Sequence, residues 1–267
     1  MLIGSILFAT LLAGIGSVWL AALLGFWAFA RFNDQLLSLA AGALLATAFM
    51  HLLPEAFEHA TAAGITPQAL FTALLTGLVF FFLLDKAELY HHGHEHHEHT
   101  DHSHHDHAHD HSHGARSGGS WAVLFGDSIH AFGDGIVIAA AFMVNAQLGW
   151  AAALAVLAHE VPHHMGDLIV LGQGASLPNT KRGALIKVSL AGTVTAIGGL
   201  VGYVLLARLE SYLPYFLVVA ASSFIYVALA DLIPQLQRRM SLGETFKQVA
   251  WLLAGMLLVI VVTGMSH

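Results

Sequence analysis

Of the chain's 267 residues, 57% are hydrophobic and only 10% are charged, and the net charge is −7 with histidine neutral. Soluble domains carry about 25% charged residues, so a water-covered surface is excluded over most of the molecule and lipid is the expected solvent. The absence of cysteine excludes disulfides and thiolate metal sites, and the lack of a basic patch interleaved with aromatics leaves nucleic acid out as a partner.

A membrane helix needs about 20 mostly apolar residues, and eight stretches meet or approach that length. The first, Leu2–Ala30, carries a cleavage-like Ala28-Phe29-Ala30. It lacks a basic leader and its apolar run is too long for a signal peptide, so it is read as a span. The second, Gln35–Leu53, runs into His51-Leu52-Leu53-Pro54-Glu55, where His51, Glu55 and Glu58 share a helical face. That face is either an outer mouth that collects cations or a solvated helix end. The third span is Gln68–Leu84. After it, His91–Ser120 is the one long polar stretch, rich in His, Asp, Glu, Ser and Gly, with 13 of the 20 histidines between His91 and His113. Such a composition cannot bury a core. It predicts a disordered cytoplasmic loop over 91–120 that binds transition metals weakly, set within one transmembrane domain covering 1–267.

The fourth span, Trp121–Met143, contains Asp127, His130 and Asp134 at i, i+3 and i+7, which places all three on one helical face. The fifth, Leu148–Leu171, contains His159, Glu160, His163, His164 and Asp167. The link between them, near Asn145–Gly149, is short enough to force the two spans antiparallel and adjacent. His130, Asp134 and the segment from His159 to His164 then meet near the bilayer midplane. The sixth span, Gly183–Leu206, offers only Ser189, Thr193 and Thr195. The seventh, Leu213–Ile233, holds Asp231 close to Pro234, and the eighth is Phe246–Val262. The expected fold is therefore an all-α integral membrane bundle of eight helices. Nine of the ten Lys and Arg residues fall in or beside the odd-numbered loops and only Arg208 in an even one. This bias places the odd loops in the cytoplasm and both termini outside.

An ionisable side chain at the bilayer centre costs about 3 kcal/mol or more, so such residues mark function. Imidazoles and carboxylates on two facing helices suit Zn2+, and also Fe2+, Mn2+, Cd2+ or Co2+. Pro162 leaves the Ala158 carbonyl without its helical donor, and Gly133 and Gly135 loosen the fourth span at the same depth. Interrupted helices at midplane depth are typical of transporter binding sites. Asp127, Asp167 and Asp231 lie toward the cytoplasmic side, where they line an exit path or face water. A second reading rests on His159-Glu160-Val161-Pro162-His163, which matches the H-E-x-x-H metalloprotease pattern. Proline inside the motif argues against it, and Asp231 alone is available as the third ligand such an enzyme needs.

Together these residues resemble the Zrt/Irt-like (ZIP) family of metal transporters. HEVPHH in the fifth span is similar to the family's HEIPHE, and HAFGDG in the fourth to its HNFxDG; His51–Glu55 and Tyr226–Pro234 add to the likeness. The resemblance implies inward transport of a divalent metal, most often Zn2+, with no cofactor and no enzymatic activity. It further implies homodimer formation and a metal centre between the fourth and fifth spans. By motif position, His130, Asp134, His159 and His163 form the main site and Glu160 belongs to a neighbouring one. Ala131 replaces the motif's Asn, His164 replaces its final Glu, and His163 stands where other branches have a bridging carboxylate. These departures predict one well-formed site. The lack of a large outer domain predicts a compact protein of the bacterial inner membrane.

Overall fold

The computed structural model describes residues 2–93, 118–172, 178–237 and 241–264, and every regular element among them is a helix. In chain order these are α1 (Leu2–Leu11), α2 (Ser17–Thr47), α3 (Leu53–Ala62), α4 (Pro67–Gly93), α5 (Gly118–Val144), α6 (Ala146–Gly172), α7 (Pro178–Arg208), α8 (Leu213–Tyr226), α9 (Ile233–Leu236) and α10 (Leu242–Gly264). Among the described residues, six runs are long and apolar enough to cross a membrane: Leu2–Leu24, Phe32–Ala62, Pro67–Leu84, Arg182–Arg208, Glu210–Leu236 and Leu242–Gly264. Ser128–Val144 adds a shorter apolar helix. α6 has the length of a span, but its second half carries the ionisable cluster and dilutes its apolarity. Most of the segment expected as a disordered loop, residues 94–117, lies outside the described residues.

The expected break near residues 31–34 is absent, because helical hydrogen bonding continues through them within α2. Arg31-Phe32-Asn33-Asp34 contains neither proline nor glycine, so polarity alone had suggested a loop there. The second apolar run also extends past Pro54 to Ala62. Two of the apolar runs accommodate a proline by widening. A π turn at Ala48–Leu52 precedes Pro54 and another at Val227–Leu232 precedes Pro234. A proline ring collides with the carbonyl four residues back in an α-helix, here Met50 and Ala230, and each of these lies inside the widened turn. π turns recur at functional sites, and His51 sits in the first of them.

Small residues let the helices approach closely, as in other membrane bundles. Ala40, Ala41, Ala43, Ala151, Ala152 and Ala155 are buried among the helices. α2 packs along both α6 and α10, and α5 along α7. The α5–α7 contact is backbone on backbone: a Cβ on Gly135 would overlap the Thr195 carbonyl oxygen and lie 2.6 Å from the Gly199 nitrogen, while one on Gly198 would overlap the Phe132 carbonyl. By contrast only 11% of the apolar stretch of α4, and the same of α10, is covered by protein. Their outward faces present Phe71, Leu75, Phe80, Phe246, Leu253 and Leu257, a patch that water would not tolerate.

Candidate metal centre

α5 and α6 form an antiparallel hairpin closed by a single residue. Asn145 ends α5 and caps α6, its Oδ1 accepting the Leu148 backbone N–H at 2.8 Å. His130 precedes this turn and His159 follows it by nearly equal stretches of helix, so the two meet at one depth. Their Nε2 atoms lie 3.3 Å apart, a distance that requires a proton or a cation between them.

Two carboxylates complete the group. Asp134 Oδ2 lies 3.2 Å from His159 Nε2 and 3.7 Å from His130 Nε2. Glu160 Oε1 lies 3.2 Å from His159 Nε2 and 3.6 Å from His130 Nε2. Among the described residues, these four are the His and acidic side chains whose ligand atoms all fall within 4.8 Å of one another. Asp134, His159 and Glu160 are buried and His130 is partly open. His159 Nδ1 donates to the Ala155 carbonyl at 3.2 Å, so its Nε2 presents a lone pair to the group, the usual orientation of a metal-binding imidazole.

The buried oxygens Asp134 Oδ2 and Glu160 Oε1 accept no hydrogen bond. Two buried carboxylates facing ring nitrogens are costly unless a cation lies among them. Ligands held at about 2.1 Å around a tetrahedral Zn2+ stand about 3.4 Å apart. Five of the six separations among the four ligand atoms, 3.2 to 3.7 Å, bracket that edge, and the donor types suit such an ion.

Motif position puts His163 in the main group and Glu160 beside it; in the structure Glu160 lies among the four, and the His163 ring stands 6.1 Å from that of His130. His163 lies a turn further along α6, with its side chain 42% exposed and its Nε2 3.7 Å from Asp167 Oδ2. Glu160 has the longer reach and brings Oε1 back to the level of His159, while its Oε2 lies 3.0 Å from His164 Nε2. His164 is fully buried, and its Nδ1 is 3.5 Å from Asp167 Oδ2. His51 and Glu55 stand apart from all of these. They line a cavity of about 420 Å³ with Asn145, Gln147 and Thr263, at the Asn145 end of the hairpin. His51 Nε2 is 3.2 Å from Thr263 Oγ1. Thr263 Oγ1 also lies 2.9 Å from the Val259 carbonyl, one turn back on α10. The spacing of residues did not reveal this link to α10. The side chains of Asp127 and Asp231 lie outside the described residues.

The sequence profile of the family described as ZIP Zinc transporter matches residues 85–263. The chain belongs to the ZIP family. That match takes in α5 to α10 and with them all four residues of the group. Individual ZIP relatives agree. The chain is 34% identical over 138 residues to "Zinc transporter foi" of Drosophila melanogaster, covering 51% of this chain and 19% of that protein. It is 26% identical over 240 residues to "Zinc transporter ZIP13" of Pongo abelii, covering 85% and 65%. It is 30% identical over 250 residues to human "Zinc transporter ZIP4", covering 74% and 38%. This ZIP-family chain thus spans between about a fifth and two thirds of the length of these relatives.

Proposed function

We propose that this ZIP-family chain is a transporter, with no enzymatic activity, that carries a divalent transition cation across a membrane. Zn2+ is the expected substrate, with Fe2+, Mn2+, Cd2+ and Co2+ as competitors for the same donors. What supports this reading above all is the convergence of His130, Asp134, His159 and Glu160 on one buried point, where two carboxylate oxygens lack hydrogen bonds. The relatives named above are zinc transporters by name, which agrees with a cation as cargo.

In this proposal eight spans cross the membrane with both termini outside, and the copies pair as homodimers in a bacterial inner membrane. A hydrated ion arrives at the His51–Glu55 end and loses water as the four side chains replace its hydration. One ion occupies the group at a time, since Ala131 offers no ligand for a second ion beside it. The ion leaves on the side of the histidine-rich segment, where weak binding gathers it. The metalloprotease reading gains less support. It needs both histidines of the H-E-x-x-H pattern on one metal, whereas His163 Nε2 lies beside Asp167 and His159 Nε2 beside Asp134.

The test is Zn2+ uptake into proteoliposomes. His159→Ala and Asp134→Ala are each expected to lower uptake at least tenfold while the protein remains folded in detergent. Uptake at the unaltered rate in both variants would remove the assigned group.

A further inference from the structure

We infer that the cavity at the Asn145 end of the hairpin is an antechamber that holds the divalent cation with its water shell intact, under the charge of Glu55. This deepens the proposed function and rests on it. The cavity, of about 420 Å³, is lined by His51, Glu55, Asn145, Gln147 and Thr263, with Leu148 and Ile260 as apolar wall. Six waters at about 30 Å³ each occupy about 180 Å³, so an octahedral hydrated ion fits with room for further water. Among the described residues Glu55 is the one carboxylate in the lining, and no lysine or arginine joins it. A cleft of one charge sign between low-dielectric walls focuses the field and concentrates counter-ions.

Three observations point to a hydrated ion rather than a coordinated one. Among the described residues, three or more His or acidic ligand atoms converge only at His130, Asp134, His159 and Glu160, so the cavity lacks the donors to strip an ion of its water. Its imidazole is also engaged, with His51 Nε2 3.2 Å from Thr263 Oγ1, which leaves Glu55 and Gln147 to bond the ion's water. Finally, the cavity is remote from the four donors. Leu148 precedes His159 by 11 residues, about 16 Å along α6 at 1.5 Å per residue, and Ala151, Ala152, Ala155 and Val156 between them are buried. On its other side Glu55 Oε1 lies 3.6 Å from Nε2 of His59, whose side chain is 43% exposed, so the carboxylate is within reach of solvent. A site that reads only charge and hydrated size accepts Mg2+, which dehydrates reluctantly, as readily as Zn2+. Selection is left to the four donors.

Hexaamminechromium(III) is the probe. It has the shape of an octahedral hydrated ion, it exchanges its ligands too slowly to enter the four-donor group, and its unpaired electrons broaden the NMR signals of nearby methyl groups. With the isoleucine methyls labelled in the full-length protein, the signal of Ile260, in the cavity wall, should broaden, while that of Ile138, buried in the bundle, stays sharp. Glu55→Gln should raise the concentration needed at least tenfold, and excess Mg2+ should restore the Ile260 signal of the unaltered protein. A sharp Ile260 signal throughout, or the same concentration dependence in Glu55→Gln, would overturn the inference. Should Glu55→Gln fail to fold, the Mg2+ arm carries the test, since broadening that Mg2+ cannot reverse would overturn it as well. The signal is read without flux, so its failure is separate from failure of the transport reading, which Asp134→Ala tests by uptake.

Discussion

Glu160 serves two neighbours at once, and that sets what its substitution should do. Glu160→Gln keeps the length and shape of the side chain but removes its charge and puts an amide where both oxygens face ring nitrogens. The variant is expected to raise the KM for Zn2+ uptake at least tenfold, as measured by initial rates in proteoliposomes. For a protease the same change would abolish cleavage of a membrane substrate and leave metal flux intact, so flux decides between the two readings. His130, Asp134 and His159 were legible in the sequence because depth and helical face follow from spacing and from the short link at Asn145. Glu160 was legible as a ligand of a neighbouring site, but its place in this group was not. Positions 159 and 160 point about 100° apart on a helix, and only the reach of the glutamate closes that angle. The link from His51 to Thr263 on α10 was hidden for a related reason. It joins two helices far apart in sequence, and one hydroxyl among many at span ends gives no signal.

For whole helices, the sequence announced apolar runs well and their junctions poorly. Apolarity fixed the cores of α5, α6, α7 and α10, since lipid selects by length and composition. The π turns before Pro54 and Pro234 could have been suspected, because a proline must displace the carbonyl four residues earlier. The unbroken passage through residues 31–34 could not, since polar residues without glycine or proline are compatible with either a loop or a helix. HAFGDG provides a sharper test at this scale. Gly133 faces open space, whereas Gly135 abuts the backbone of α7. Gly133→Ala should therefore be neutral or stabilising by up to about 1 kcal/mol, the helix-propensity gain of alanine over glycine. Gly135→Ala should destabilise by about 1–3 kcal/mol, the usual cost of overpacking, and should impair uptake through the adjoining Asp134. Thermal denaturation in detergent, read beside uptake, separates the two. Equal melting temperatures for the two variants would contradict the α5–α7 contact.

For the molecule as a whole, the pH response follows from the donor set. Imidazole binds a metal only when neutral, so protons and Zn2+ compete for His130 and His159, and carboxylates lose their charge at still lower pH. Uptake should therefore fall as the outer solution is acidified, with the loss appearing as a rise in KM that added Zn2+ overcomes. Initial rates across a pH series at several Zn2+ concentrations check this. A fall in maximal rate that excess Zn2+ cannot restore would contradict simple competition.

The seam between Gly135 and Gly198 constrains how that cargo can travel. No methyl group fits between the two strands of backbone, and α7 presses on α1 with similar closeness, where a Cβ on Gly199 would stand 2.7 Å from Thr10 Cγ2. Asp134 therefore cannot shift by bending α5 alone. Any displacement large enough to release its ion must drag α7 and α1 along as one block, so the smallest moving part of this machine is three helices thick.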